Sequence, residues 1–167
     1  YYHHKSADWP GNRPFRLAGR TAAEMAKMPT YYIMDRDLGM AETVAKHMPS
    51  PAEIAANKWL PDSELRVYAE EFERSGFQGG LNWYRSGGFG APEQQLFAGR
   101  TIDQPSIFIS GACDWGSYQS PGALERMQNL ACTDMRGVHM VKDAAHWVQQ
   151  EQPKETSRLL IEFLRNC

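Results

Sequence analysis

The sequence predicts an α/β protein whose parallel sheet lies in the last third of the chain. Two compact apolar runs, residues 105–110 and 137–141, have the length and composition of buried strands. Each run is followed by a small-residue loop and then by a helical pattern that begins near a proline. Strands that alternate with helices in this way form a parallel sheet covered by helices.

Residues 1–8 are interpreted as the end of a strand. They are followed by a loop at residues 9–14, which is rich in Pro and Gly. The first letters are YYHH and not Met, so we expect a fragment that starts inside an element. His3 and His4 have no carboxylate or Cys nearby at ligand spacing, so no metal site is predicted.

The next part of the chain is predicted to form short helices joined by turns that contain proline. Thr21 and Ser50 each have a glutamate three residues on, Glu24 and Glu53, which is the spacing of a capping box. Such a small helical unit cannot bury all its apolar faces alone, so we expect it to lie on another layer. The predicted helices are residues 21–28, 40–47, 50–58 and 61–76.

Residues 76–100 are rich in glycine and aromatic side chains. Trp83 and Tyr84 are typical of packing or of the lining of a pocket. The letters GGFG at residues 87–90 predict a flexible connection to the last third of the chain.

The last third is predicted to contain a helix at residues 121–131 between the two strands and a final helix that Pro153 opens. Open α/β sheets typically have about five strands or more, so a sheet with two clear strands is incomplete. The final helix is expected to bury one apolar side. That side carries Leu159, Leu160, Phe163 and Leu164.

Composition excludes several classes of protein. The 18 Lys and Arg nearly balance the 20 Asp and Glu, for a net charge of −2, so neither nucleic acid nor an anionic membrane is an expected partner. No apolar run approaches the ~20 residues that span a bilayer. Three widely spaced cysteines fit neither a disulfide framework nor a zinc site, so we expect a cytoplasmic protein.

Asp114 and His146 each follow a predicted strand at its carboxyl end. The carboxyl ends of neighbouring parallel strands lie together, and open α/β sheets carry their chemistry there. An acid that orients a histidine and stabilises its imidazolium form supports a general base. The spacing therefore predicts an acid–base pair, although many α/β proteins have an Asp and a His in such loops.

Three motifs carry a resemblance to a known family. FISGACDWG, AAHWVQQEQP and GLNWYR resemble the acid loop, the histidine loop and the second lid tyrosine of the α/β-hydrolase-fold epoxide hydrolases, which are close to the haloalkane and haloacetate dehalogenases. The resemblance implies a partial α/β-hydrolase fold, a helical lid followed by the last two parallel strands and helices of the core. Residues 1–8 would be a remnant of a core strand, residues 9–99 the lid, and residues 100–167 the C-terminal part of the core.

The resemblance also implies roles for single residues. His146 would be the general base that activates water, and Asp114 its orienting acid. Tyr84 would be one of two lid phenols that hydrogen-bond the epoxide oxygen and stabilise the alkoxide as the ring opens. The second would be Tyr31, judged from the Gly-Met-Ala-Glu segment that follows it, with Tyr32 as a competitor.

Two tryptophans flank the acid and the base in the sequence. Trp115 and Trp147 are expected either to line a pocket for a small apolar epoxide or to pack in the core. The implied chemistry needs no metal and no organic cofactor.

The sequence departs from the family at two points. Ala145 stands where the family usually has Gly before the histidine, a small change that should preserve the turn. In the family, an aspartate on a sharp strand-to-helix turn before the lid attacks the epoxide carbon, and no residue here matches it. We therefore expect the 167 residues alone to be inactive and poorly stable without an N-terminal half of the core.

Two alternatives stay open from the sequence. A haloacetate or haloalkane dehalogenase, acting on a halogenated substrate, would use the same fold with a lid that holds a halide. A non-catalytic or degenerate relative would keep the pocket as a ligand site.

Overall fold

The structure is a computed structural model that describes residues 1–86 and 92–167. Residues 87–90, predicted as a flexible connection, lie outside the described part. The helices before the sheet are α1 (Ala22–Met25), α2 (Met40–Ala45), α3 (Pro51–Ala56), α4 (Asp62–Ser75) and α5 (Gln78–Arg85), followed by a 3₁₀ helix at Pro92–Phe97. The later elements are β1 (Ser106–Gly111), a 3₁₀ helix at Trp115–Ser117, α6 (Ala123–Arg126), a π-helical turn (Met127–Ala131), β2 (Met135–Val141), α7 (Val148–Glu151) and α8 (Pro153–Arg165).

The sheet is parallel, as the alternation of strands and helices predicted. Strands β1 and β2 pair from Ile107 opposite Gly137 to Gly111 opposite Val141, and α6 with the π-helical turn forms the crossover between them. Because the two strands end side by side, the loops that follow them begin at the same edge of the sheet.

The structure corrects the prediction of a strand end at residues 1–8. His3–Lys5 form a 3₁₀ helix there instead. The backbone N–H groups of Lys5 and Ser6 donate to the carbonyls three residues before them, Tyr2 and His3, at 3.2 and 3.1 Å. These local bonds occupy backbone groups that a strand would offer to a neighbour.

The caps explain where the short helices begin. Ser50 and Glu53 form a complete capping box, since the Glu53 N–H donates to the Ser50 hydroxyl and the Glu53 carboxylate accepts from the Ser50 N–H. Thr21 accepts from the Glu24 N–H, but the Glu24 carboxylate accepts from the N–H of Ala18 instead. Helix α1 ends at Met25, three residues before the predicted end.

Two apolar clusters hold the layers together. Val141, Ala144, Val148 and Leu159 pack between the sheet and α8. The second cluster joins the segment before α2 to the loop after β1. It consists of Leu17, Met28 and Trp115, with Met25 and Tyr32 packed against them.

The buried side of α8 is narrower than predicted. Leu159 is buried, whereas Leu160 is 42% and Leu164 70% exposed. The buried residues of the helix are Thr156 and Leu159, and Leu159 packs with Val141 and Val148. Within the described residues, no helix is both long enough and apolar enough to cross a bilayer.

Candidate active site

The two loops that follow the strands are held against each other by their backbones. The N–H of Ala112 donates to the carbonyl of Val141 at 2.8 Å, and the N–H of Cys113 donates to that of Ala144 at 2.9 Å. Gly111 allows this approach, because a Cβ on it would lie 2.3 Å from the Ala145 carbonyl oxygen. A side chain at this position would therefore push the two loops apart.

This approach brings Asp114 and His146 together, as the sequence predicted for their loops. The Nδ1 atom of His146 lies 3.3 Å from each carboxylate oxygen of Asp114. The aspartate is buried, with 8% of its surface exposed, while 39% of the histidine side chain is exposed. Within residues 1–86 and 92–167, Nε2 of His146 has no hydrogen bond, so this nitrogen is available to a reactant.

Glu151 organises the histidine loop from the end of α7. One oxygen of its half-buried carboxylate accepts from the N–H groups of Ala145 and Trp147, both at 3.0 Å, and the other accepts from that of Ala7 at 2.7 Å. Burial nevertheless raises the pKa of Glu151 above its usual value. The N–H of His146 itself donates to the Lys5 carbonyl at 3.0 Å.

Asp114 accepts from further donors besides the histidine. The Tyr32 hydroxyl donates to its Oδ1 at 2.8 Å, and the Gly116 N–H donates to the same oxygen at 2.9 Å. Burial raises the pKa of Asp114, but the bonds from His146, Gly116 and Tyr32 outweigh it and hold that pKa below its usual value. Burial and the nearby carboxylate raise the pKa of Tyr32, so this phenol stays a donor.

The two predicted lid phenols lie in contrasting surroundings. Tyr31 is buried, with 2% of its surface exposed, and its hydroxyl donates to Oδ1 of Asn12 at 2.9 Å. Tyr84, on α5, is 80% exposed. Tyr84 lies near Tyr1, whose pKa burial and this second phenol raise to about 12. Of the three tyrosines in question, Tyr32 is the one that contacts the acid–base pair directly.

The two tryptophans both take part in packing. Trp115 is 2% exposed, and Phe15 packs edge-on against it with ring centroids 5.1 Å apart. Trp147 stacks on Tyr2 at 4.5 Å, donates from Nε1 to the Tyr2 carbonyl at 2.8 Å, and meets the His146 ring edge-on at 4.8 Å. Trp147 is therefore the tryptophan that adjoins the histidine.

Sequence reasoning missed Lys5, Glu151 and the role of Gly111. The Lys5 ammonium lies 4.4 Å from the centroid of the Tyr32 ring. Burial lowers the pKa of Lys5, while the Asp114 carboxylate opposes this shift. The acid five residues after the histidine was a signal for Glu151, but no pattern in the sequence pointed to Lys5.

In the part of the chain that the structure describes, no three His, Cys, Asp or Glu side chains are grouped so that they could hold a metal ion. His3 and His4 take part in hydrogen bonds within the protein. The Asn57 amide bonds Nδ1 of His3, and the His47 carbonyl accepts from Nε2 of His4.

Comparisons with known proteins agree with this geometry. No protein-family model matches the chain. Epoxide hydrolase B of Mycobacterium tuberculosis is 39% identical over 106 residues, which are 64% of this chain and 30% of that protein. Epoxide hydrolase A of the same organism is 38% identical over 117 residues, 70% of this chain and 35% of that protein. The chain thus spans about a third of the length of these curated relatives.

Solved structures give the same result. Epoxide hydrolase A of Mycobacterium thermoresistibile, 35% identical, superposes with a TM-score of 0.64 over 93% of this chain and 46% of its own. An epoxide hydrolase from an endophytic Streptomyces, 32% identical, also gives 0.64, over 78% and 37%. With its parallel strands and its acid and histidine loops, the chain is a member of the α/β-hydrolase fold superfamily. Within that superfamily it belongs to the epoxide hydrolase-like group.

Proposed function

We propose that this chain supplies the lid and the acid–base part of an epoxide hydrolase. The observation that carries the proposal is the contact of His146 Nδ1 with Asp114 at the carboxyl ends of two neighbouring strands. Residues 9–99 would form the lid and residues 100–167 the C-terminal part of the core. The likeness to proteins named epoxide hydrolase over about two thirds of this chain supports the same function.

In the proposed reaction, a carboxylate from outside the described residues attacks an epoxide carbon, the C–O bond breaks, and an ester and an alkoxide form. A lid phenol donates the proton to the alkoxide. His146 then takes a proton from water, the hydroxide attacks the ester carbonyl, and the ester C–O bond breaks to give a vicinal diol and the free carboxylate. Asp114 stabilises the imidazolium that forms in this step. The imidazolium proton returns to the phenolate, so both groups regain their starting state.

Tyr84 and Tyr31 are the proposed phenols, with Tyr32 as the alternative to Tyr31. The 80% exposure of Tyr84 leaves its hydroxyl open to a substrate. Tyr31 would have to exchange its bond to Asn12 for one to the epoxide oxygen. A phenol suits this task because its ordinary pKa, about 10, keeps it protonated at neutral pH.

The proposed substrate is a small apolar epoxide, handled in the cytoplasm without a cofactor. Trp147 would line its site, since the Trp147 ring already meets His146 edge-on. Trp115 would lie beneath the residues that line the site, because its own ring is buried.

A chimera tests the function. The aligned segment of Mycobacterium tuberculosis epoxide hydrolase B is replaced by this chain, and diol formation from styrene oxide is measured. We expect turnover in the chimera, a loss of roughly 10²–10⁴-fold on His146→Gln, and none from the 167 residues alone. Diol formation by the isolated chain, or a folded chimera without any, would contradict the proposal.

The same chimera separates the two alternatives. Halide release from a chlorinated or fluorinated acid, without diol formation, would select a dehalogenase. Tight binding of the epoxide with no turnover would select a non-catalytic ligand site.

A further inference from the structure

The donors around Asp114 do not share its carboxylate equally. Oδ1 accepts from the Tyr32 hydroxyl at 2.8 Å and from the Gly116 N–H at 2.9 Å, whereas His146 Nδ1 lies at 3.3 Å from both oxygens. A charge-assisted bond between an imidazolium and a carboxylate is shorter, at about 2.7–2.9 Å. The geometry thus shows a carboxylate whose closest partners are a lid phenol and a backbone amide.

A cation lies behind that phenol. The Lys5 ammonium is 4.4 Å from the centroid of the Tyr32 ring and 4.9 Å from that of Tyr1, which is the arrangement of a cation–π contact. It also lies close enough to Asp114 for their opposite charges to interact. Lys5 also contacts the histidine through its backbone, because the Lys5 carbonyl accepts a hydrogen bond from the His146 N–H.

This arrangement matters for a general base. A buried carboxylate beside a histidine favours the imidazolium, and an imidazolium cannot take a proton from water. A hydroxyl donor and a nearby cation each offset part of the negative charge of the carboxylate. They therefore weaken the preference of the neighbouring ring for its imidazolium form. Glu151, which binds the N–H groups on either side of His146, acts in the opposite direction.

We propose that Tyr32 and Lys5 are positioning residues that share the charge of Asp114 and so keep His146 a neutral base. This rests on the proposed function for its meaning, but the charge sharing itself is a property of the chain without substrate. It also gives Tyr32 a different role from the substrate contact considered above, since its hydroxyl is already committed to the acid.

The test follows the His146 ring nitrogens by NMR in the full chain labelled with [¹⁵N]histidine, between about pH 5 and pH 9. In Tyr32→Phe and in Lys5→Met, we expect the midpoint of the ring titration to rise by roughly half a pH unit or more. Tyr31→Phe, which removes a hydroxyl bound to Asn12, and Lys5→Arg, which keeps the cation, should leave the midpoint within about 0.2 unit.

An unchanged or lower midpoint in both Tyr32→Phe and Lys5→Met would overturn the proposal. Lys5→Met keeps a long apolar stem, so it decides the matter if Tyr32→Phe alters the fold. If Tyr32 and Lys5 had a structural role alone, their substitution would destabilise the chain but would not move the titration midpoint of His146 in the folded form. Because no substrate is used, an inactive chimera would disprove the proposed function and leave this result standing.

Discussion

Gly111 and Ala145 approach so closely that a Cβ on the glycine would lie 2.3 Å from the alanine carbonyl oxygen. The glycine ends β1, and the alanine immediately precedes the histidine. The distance between acid and base is therefore set by the backbone of both loops, and it depends on the absence of one side chain.

Gly111→Ala should separate the two loops and lower the free energy of unfolding by roughly 1–3 kcal/mol, because the added methyl meets backbone atoms that cannot rotate away. Thermal unfolding followed by circular dichroism measures the change. Gly80→Ala is the matched control, since a Cβ there meets nothing within 4 Å in helix α5. There the substitution should stabilise the chain by about 0.5–1 kcal/mol. Equal effects at both sites would mean that the close approach has no cost.

Asp114 should make stability depend on pH in the acid range. Its pKa is held below the usual value, about 3.9, so the folded chain binds fewer protons here than the unfolded chain. The stability that it confers is fully present above about pH 3.9 and is lost as the pH falls through the folded value. Urea unfolding at pH 7 and pH 3 should show a larger deficit for Asp114→Asn at pH 7 than at pH 3. An equal deficit at both pH values would mean that Asp114 is not the source of this pH dependence.

Glu151→Ala should destabilise the histidine loop by roughly 3 kcal/mol, because it removes the acceptor of three backbone N–H groups. Urea unfolding provides the measurement. Glu73→Ala, at an exposed position on α4, should stay within about 0.5 kcal/mol of the original chain. If the two variants unfolded alike, the three bonds would contribute nothing net.

Phenylalanine substitutions at the two proposed lid phenols should have different effects on stability but similar effects on rate. In the chimera, Tyr84→Phe and Tyr31→Phe should each slow epoxide opening by roughly 10²–10³-fold. Only Tyr31→Phe should also lower stability, by about 1–2 kcal/mol, because it leaves the buried Asn12 Oδ1 without its donor. Tyr68→Phe, a phenol bound to Gln150, is the control for the rates. Unchanged rates in both variants would remove these phenols from the mechanism.

Local patterns in the sequence predicted the elements that local chemistry determines. The apolar runs became β1 and β2, Pro153 opened α8, and Ser50 with Glu53 formed the expected capping box. The acid and base loops followed from the same reasoning, because a parallel sheet brings its carboxyl ends together. The prediction of a strand at residues 1–8 was wrong, because no local sequence pattern distinguishes a strand end from a single helical turn.

Contacts between distant segments could not be predicted in this way. Tyr32 and Asp114 are 82 residues apart, and Tyr32 reaches the acid while it packs against the cluster of Leu17, Met28 and Trp115. For the same reason, the apolar pattern of α8 indicated a broad buried side, although Thr156 and Leu159 are the buried residues of this helix.

The hydrogen bonds between the N-terminal turn and the histidine loop also constrain the order of folding. The Trp147 indole donates to the Tyr2 carbonyl across 145 residues of sequence, and the Ala7 N–H donates to Glu151 across 144. Closing so long a loop costs conformational entropy before any contact offsets it, and such contacts slow folding. The backbone around His146 should therefore reach its final form late, after β1 and β2 have paired, and it should be an early region to exchange its amide hydrogens when the N-terminal turn opens.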